Sequence, residues 1–234
     1  MTLRSIVRVL AMGAAVVALV GVLSVGASAQ PPKYSAAAGT FVGGAGDCGV
    51  GEPAGNKIVT AAWLNGLGLP DNGTANPGGG VQQGLLLSKN GPQANCSAAG
   101  ANIIGFAPNG TLSALGFDYR LGGHCGAGAP RFNVTDNATP IPNTFFFGCN
   151  NGTKSASPQD PANWTRVTFD QTNAPFGFFF GITQVASIEI IFDEGTDIPS
   201  PDGNAPAGVG LATIDNIRIN NTFITRKAGN PILP

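Results

Sequence analysis

Apolar and polar residues alternate in short runs along most of this chain. In Leu115–Val134 (LGFDYRLGGHCGAGAPRFNV), Leu115, Phe117, Tyr119 and Leu121 share one phase, and Gly116, Asp118 and Arg120 take the other. Phe132 and Val134 likewise alternate with Arg131 and Asn133. A period of two is that of a strand with one buried face. The pattern predicts two antiparallel strands around a loop containing Gly122, Gly123, Gly126 and Gly128. Asp118, Arg120, Arg131 and Asn133 would then project together from the polar face.

Similar runs recur before and after this pair. Ile58–Leu69, Gln83–Lys89, Asn102–Phe106, Asn143–Cys149, Trp164–Asp170, Ser187–Phe192 and Leu211–Ile219 read as strands. Asn109-Gly110 is a tight-hairpin signal leading into the central pair. Within Trp164–Asp170, Trp164, Arg166, Thr168 and Asp170 face one way, and Thr165, Val167 and Phe169 the other. In Leu211–Ile219, Ile217 and Ile219 share a phase that Ile214 does not, so the strand needs a bulge or two buried faces. The Phe145–Phe147 and Phe178–Phe180 runs read as strands buried on both faces, Trp63 as core, and Asp71–Gly80 as a surface loop.

Composition decides between the fold classes. The chain holds 35 Gly and 18 Pro with only 11% charged residues, so few stretches suit a helix. Strands spaced about ten residues apart predict an all-β fold, an antiparallel two-sheet β-sandwich of jelly-roll type. The domain is expected over 41–225, after a flexible lead-in at 30–40 and before a tail at 226–234.

Residues 1–29 carry Arg4 and Arg8, an apolar stretch from Val9 to Val25, and Ala27-Ser28-Ala29. This is the pattern of a secretory signal peptide cut near Ala29; the alternative is an uncleaved membrane anchor. Cleavage removes two arginines and leaves ten basic against thirteen acidic residues. That balance offers no basic surface for nucleic acid, and no second apolar stretch would hold the mature chain in a membrane. Export permits disulfides. Cys125–Cys149 would tie adjacent strands in the centre and Cys48–Cys96 would close the N-terminal part; zinc is disfavoured without CxxC spacing and with one histidine, His124.

The C-terminal stretch SIEIIFDEGTD … GVGLATIDNIRIN resembles the closing hairpin of bacterial jelly-roll carbohydrate-binding modules. Their final strand carries a pattern similar to Ile214-Asp215-Asn216-Ile217. The likeness covers about 35 residues. GAPRFNV and FFFGC are similar to segments of secreted bacterial proteins of unknown function. The resemblance implies a jelly-roll sandwich and a sugar ligand, although the aromatic platform that many such modules use has no counterpart in the sequence reading.

Two constellations carry candidate chemistry. Asp118, Arg120, Arg131 and Asn133 could hydrogen-bond sugar hydroxyls, with Trp164 stacking on a ring; the alternative is cross-strand ion pairing on an exposed sheet. Asp193, Glu194, Asp197, Asp202 and the returning Asp215 offer hard oxygens to a structural calcium ion; the alternative is a solvated acidic loop. No GxSxG, HExxH or phosphate-loop motif is present. The sequence therefore points to a secreted, non-catalytic module that binds carbohydrate or another cell-envelope ligand through one sheet face. A structural or protein-interaction module is the alternative, and a secreted hydrolase the third reading. A ligand site would be a recessed face rimmed by loops; an interaction module would present it flat.

Overall fold

The computed structural model describes residues 34–77, 81–172, 179–180, 184–203 and 205–226, and within them the alternating runs form thirteen strands. One sheet runs in the order β1 (Ser35–Val42), β4 (Ser97–Ile104), β11 (Gln184–Phe192), β7 (Arg131–Asp136), β8 (Thr144–Gly148), with the short β5 (Gly110–Thr111) also on β11. The second runs β2 (Val59–Asn65), β3 (Gln83–Lys89), β12 (Leu211–Ile219), β6 (Ala114–Arg120), β10 (Trp164–Asp170), β9 (Thr153–Ala156), with β13 (Thr222–Ile224) on β12. The ladders are antiparallel, so the expected two-sheet all-β sandwich is what forms. No helix among the described residues is long and apolar enough to cross a membrane.

Alternation builds the core. Leu115, Phe117, Tyr119, Val167 and Phe169 point inward from the second sheet, towards Phe132, Val134, Phe147, Ile188 and Ile190 of the first. Phe117 and Phe132 meet with ring centroids 5.6 Å apart, and Phe147 and Phe169 at 5.7 Å. Each such side chain, fully buried, contributes about 1.5–3 kcal/mol. Of the two readings open for β12, a bulge is present: the β12–β6 register shifts between Asp215 and Arg218, and Asn216 takes the left-handed conformation at φ 46°. That extra residue turns both Ile214 and Ile217 into the core.

The central pair is a correction. β6 and β7 are not neighbours in one sheet: β6 lies between β12 and β10, and β7 between β11 and β8. Their apolar faces meet across the core, while their polar faces look out of opposite sides of the sandwich. The connection Leu121–Pro130 is too long for a tight hairpin and crosses between sheets instead. A glycine at the end of β8, Gly148, lets the connection pack there. A Cβ on Gly148 would lie 1.8 Å from the Ala127 carbonyl oxygen, and there Cys125 bonds Cys149. Cys48–Cys96 is the other disulfide, so both expected pairings form.

Further departures are local. Ser35–Thr40, expected within a flexible lead-in, form most of β1 and pair with β4. β4 begins at Ser97 rather than Asn102. Asn109 is left-handed, as expected of a turn, but Gly110 then pairs with Val185 on β11 and no hairpin into β6 results. Of Phe145–Phe147, the middle ring faces outward, with Phe146 53% exposed. Phe178 and the segment 227–234 of the expected tail lie outside the described residues, as does the expected signal peptide.

Candidate functional site

The outer face of the first sheet is the open one. Cross-strand register places Ala37, Asn102, Glu189, Asn133 and Phe146 in one row across β1, β4, β11, β7 and β8. At about 4.8 Å between strands the row spans roughly 19 Å. A neighbouring row begins with Gly39, Gly100 and Ile191. With glycine and alanine here, the sheet surface is hollow: a depression of about 310 Å³ lies over Ala37, Gly39, Ala98, Gly100, Asn102 and Glu189. It adjoins a second of about 470 Å³, with Phe41, Ala98 and Ile191 common to both. Loop residues Cys48, Glu52, Gln93 and Asn95 wall the second hollow, so Cys48–Cys96 ties down part of the rim. This face is recessed, not flat.

Phe41 and Phe146 are 51% and 53% exposed and stand on the two edge strands of this sheet, β1 and β8. Arg131 holds the β8 side of this face. Its Nε donates to Asn133 Oδ1 at 2.8 Å, and Nη1 donates to the Gly128 carbonyl at 2.5 Å. Nη1 and Nη2 donate to Asp193 Oδ1 and Oδ2 at 2.6 and 2.8 Å. The guanidinium carbon sits 5.5 Å from the Phe146 ring centroid, a cation–π distance. Arg131 is thus a fixture that orients Asn133 and Phe146. Among the described residues the Glu189 carboxylate has no ion-pair or hydrogen-bond partner.

The sequence-predicted ligand residues are split between the sheets. Arg131 and Asn133 belong to the face just described; Asp118, Arg120 and Trp164 belong to the second sheet. Asp118 is fully buried, because the loops over that sheet cover its outer face. It accepts from Arg166 Nε (2.7 Å) and Nη2 (3.0 Å), Ser157 Oγ (2.8 Å) and Asn216 Nδ2 (2.7 Å). Arg120 is exposed opposite Trp164 across the β6–β10 ladder, and Trp164 is 3% exposed, too buried for ring stacking.

The five acids of the expected calcium loop go to different partners. Asp193 pairs with Arg131; Glu194 lies 2.6 Å from buried His124 Nε2 and accepts the Gly128 N–H; Asp197 accepts the Gln93 N–H. Asp202 accepts from the Tyr119 hydroxyl at 2.7 Å. Asp215, fully buried, accepts the Leu69 and Asn216 N–H groups. Burial pushes its pKa well up, the two N–H bonds oppose that, and the Asp71 and Asp118 charges add to the rise. No three His, Cys, Asp or Glu side chains among the described residues gather closely enough to hold a metal ion. A cation already sits beside this loop. Lys89, 1% exposed, donates from Nζ to the carbonyls of Gln93, Asn95 and Asp193 at 2.8, 2.7 and 2.9 Å. Burial lowers its pKa, and the nearby Asp193 and Asp197 charges oppose that.

Phe41, Asn102, Glu189 and Phe146 were not among the residues picked from sequence as ligand contacts. The signal for two of them was present in the phase: Glu189 stands between inward Ile188 and Ile190, and Phe146 between inward-packed Phe145 and Phe147.

No family model matches this chain, and no curated protein matches it. Two solved structures are similar to it at low TM-score. One is the family 11 carbohydrate-binding module of the cellulosomal cellulase Lic26A-Cel5E of Clostridium thermocellum, at 11% identity and TM-score 0.36, over 78% of this chain and 86% of that one. The other is a family 11 module from Clostridium thermocellum in complex with a β-1,3-1,4-mixed-linked tetrasaccharide, at 10% identity and TM-score 0.35, over 80% of this chain and 94% of that one.

Proposed function

We propose that this protein is an exported, non-catalytic carbohydrate-recognition module whose ligand lies along the outer face of the first sheet. The observation that carries the reading is the row Asn102–Glu189–Asn133, lying in a hollowed surface that also presents the exposed rings of Phe41 and Phe146. A sugar presents hydroxyls that both donate and accept, together with apolar C–H faces. Amides answer both polar roles, a free carboxylate accepts two hydroxyl protons, and phenyl rings take the C–H faces. A glycosidase needs two carboxylates facing one bond. Glu189 has no partner acid in its row, and of the two acids lining the adjoining hollow, Glu52 and Asp193, the second is committed to Arg131. The two disulfides and the signal-peptide pattern at 1–29 support export.

The test uses the open space above Gly39, where an added Cβ meets nothing within 4 Å. The purified protein and its Gly39→Gln variant are assayed for binding to cellulose, mixed-linkage glucan, xylan, mannan and pectin. Saturable binding by the wild type, weakened at least tenfold by Gly39→Gln with an unchanged unfolding midpoint, is expected. Absence of wild-type binding to every polysaccharide would overturn the carbohydrate reading; equal binding by the variant would move the ligand off this face.

A further inference from the structure

Arg120 and Trp164 do not belong to the first sheet's face, yet they border a pocket of their own. At one end of the second sheet they join Asn76, Gln82, Asp160, Asn163 and the Gly66–Gly68 turn around a cavity of about 190 Å³. Asp160 is its anchor. Asn76 Nδ2 donates to Asp160 Oδ2 at 2.8 Å, and Asn163 Nδ2 donates to Oδ1 and Oδ2 at 3.0 and 3.1 Å. Burial alone would raise the Asp160 pKa, but these bonds and the backbone N–H groups of Asn163 and Ala162 hold it below the ordinary range.

Four polar groups on this wall remain unused within the described residues. Both amides are committed through nitrogen, which leaves the Oδ1 atoms of Asn76 and Asn163 as acceptors. The Arg120 guanidinium makes no hydrogen bond or ion pair. Trp164 is 3% exposed, and its indole N–H has no acceptor among the described residues. Its Nε1 is not one of the buried unpartnered atoms, so this N–H is open to solvent. The N–H of the other tryptophan is taken up within the protein: Trp63 Nε1 donates to the Ala36 carbonyl at 2.8 Å.

We propose that this pocket is a second binding site, on the sheet opposite the first, for the end unit of a neutral sugar. Its two donors and two acceptors match adjacent hydroxyls, which each give and take a hydrogen bond. The Arg120 and Asp160 charges balance, so neither an anion nor a cation is favoured. The cavity is below the size usual for drug-sized ligands, so it suits a single ring rather than a chain. The ligand class rests on the carbohydrate reading above; the site shares no residue with it.

The two tryptophans make the test direct, because each gives one indole N–H signal in a ¹⁵N–¹H correlation spectrum. The protein is titrated with methyl β-D-glucopyranoside, methyl α-D-mannopyranoside, methyl β-D-xylopyranoside and cellotetraose, and separately with sodium acetate and phosphate. The Trp164 signal is expected to move saturably with at least one sugar while the Trp63 signal stays. Arg120→Ala, at an exposed strand end, is expected to weaken that response at least tenfold, and Phe146→Ala to leave it unchanged. A Trp164 signal stationary with every sugar, or one that answers acetate or phosphate instead, overturns the proposal. The backbone amides of Gly39 and Gly100 report the first face in the same spectra. Movement there without Trp164 removes only the second site; movement of Trp164 alone removes only the first.

Discussion

The guanidinium of Arg131 and the carboxylate of Asp193 lie edge to edge, with both nitrogens of the Nη pair donating at 2.6 and 2.8 Å. This pair joins the start of β7 to the residue that follows β11, and the same guanidinium supports the Phe146 ring and Asn133. The Asp193 side chain is 37% exposed, so screening limits the pair's contribution to stability to about 0.5–1 kcal/mol. Its larger consequence is positional. Asp193→Asn is expected to lower the unfolding free energy by no more than that, while weakening polysaccharide binding several-fold. Chemical denaturation and binding isotherms on the same preparation check it; loss of stability without loss of affinity would make the pair purely structural.

Phe146 and Phe147 are adjacent and should behave oppositely. Phe147 is fully buried and packs on Phe169, Phe179 and Phe180, so Phe147→Ala should cost about 3–5 kcal/mol. Phe146 faces solvent, and Phe146→Ala should change stability by less than about 0.5 kcal/mol. If it contacts sugar, its removal should cost about 1–3 kcal/mol of binding, as for aromatic residues at interface centres. Urea unfolding and affinity gels on the two variants separate these effects.

Strand phase was legible in the sequence; strand partnership was not. Gln83–Lys89 and Trp164–Asp170 fold as read because large inward residues, Leu85 and Leu87 in one and Val167 and Phe169 in the other, stand two positions apart. In Leu211–Ile219 the phase left a bulge or two buried faces open, because Ile214 and Ile217 cannot both face inward in an unbroken strand; the register decides for a bulge at Asn216. The first half of β4 was missed because Ser97–Ala101 is SAAGA, whose small side chains carry no phase. The partner of β6 was misassigned for a different reason. Alternation says which side chains face the core, and Leu121–Pro130 can carry the chain back beside β6 or across the sandwich. That misplacement split the ligand face, and it also hid the burial of Asp118, since nothing local to β6 announces the loops that cover it. The acids around Asp193 suggested a metal because sequence shows their proximity along the chain but not Arg131, His124 or Lys89 arriving from elsewhere.

Asp215 makes stability depend on pH with a sign opposite to that of most carboxylates. Its folded pKa is raised, chiefly by burial. Below the unfolded value, near 3.9, the carboxyl is protonated in both states and carries no penalty. As pH rises above that value, the unfolded chain ionises while the folded one holds its proton, so folding loses free energy until the folded pKa is passed. Asp215→Asn removes this loss. Relative to the wild type, the variant is expected to gain stability as pH goes from 4 to 7, read as the difference between two urea midpoints at each pH. A constant difference would mean that Asp215 is ionised throughout, stabilised by the Leu69 and Asn216 N–H groups more than burial penalises it.

Lys89 is the polar side chain whose loss should cost the fold most. Its ammonium sits among three backbone carbonyls drawn from two loops, those of Gln93 and Asn95 and that of Asp193. One buried cation therefore organises both loops beside the 470 Å³ hollow, which Lys89 itself helps to line. Lys89→Met keeps the aliphatic stem and removes the charge, leaving carbonyl oxygens without a donor. Groups so stranded cost about 1–3 kcal/mol each, and the Asn95 carbonyl retains the Ser97 N–H. The expected loss is about 2–4 kcal/mol, accompanied by faster hydrogen exchange at Ser97 and in the rim that Cys48–Cys96 tethers. The companion variant Lys89→Arg retains the charge but needs more room than a 1%-exposed site offers, so it should rescue only in part. A wild-type unfolding midpoint for Lys89→Met would show that water can replace the ammonium, and that the two loops are held by their own backbone hydrogen bonds.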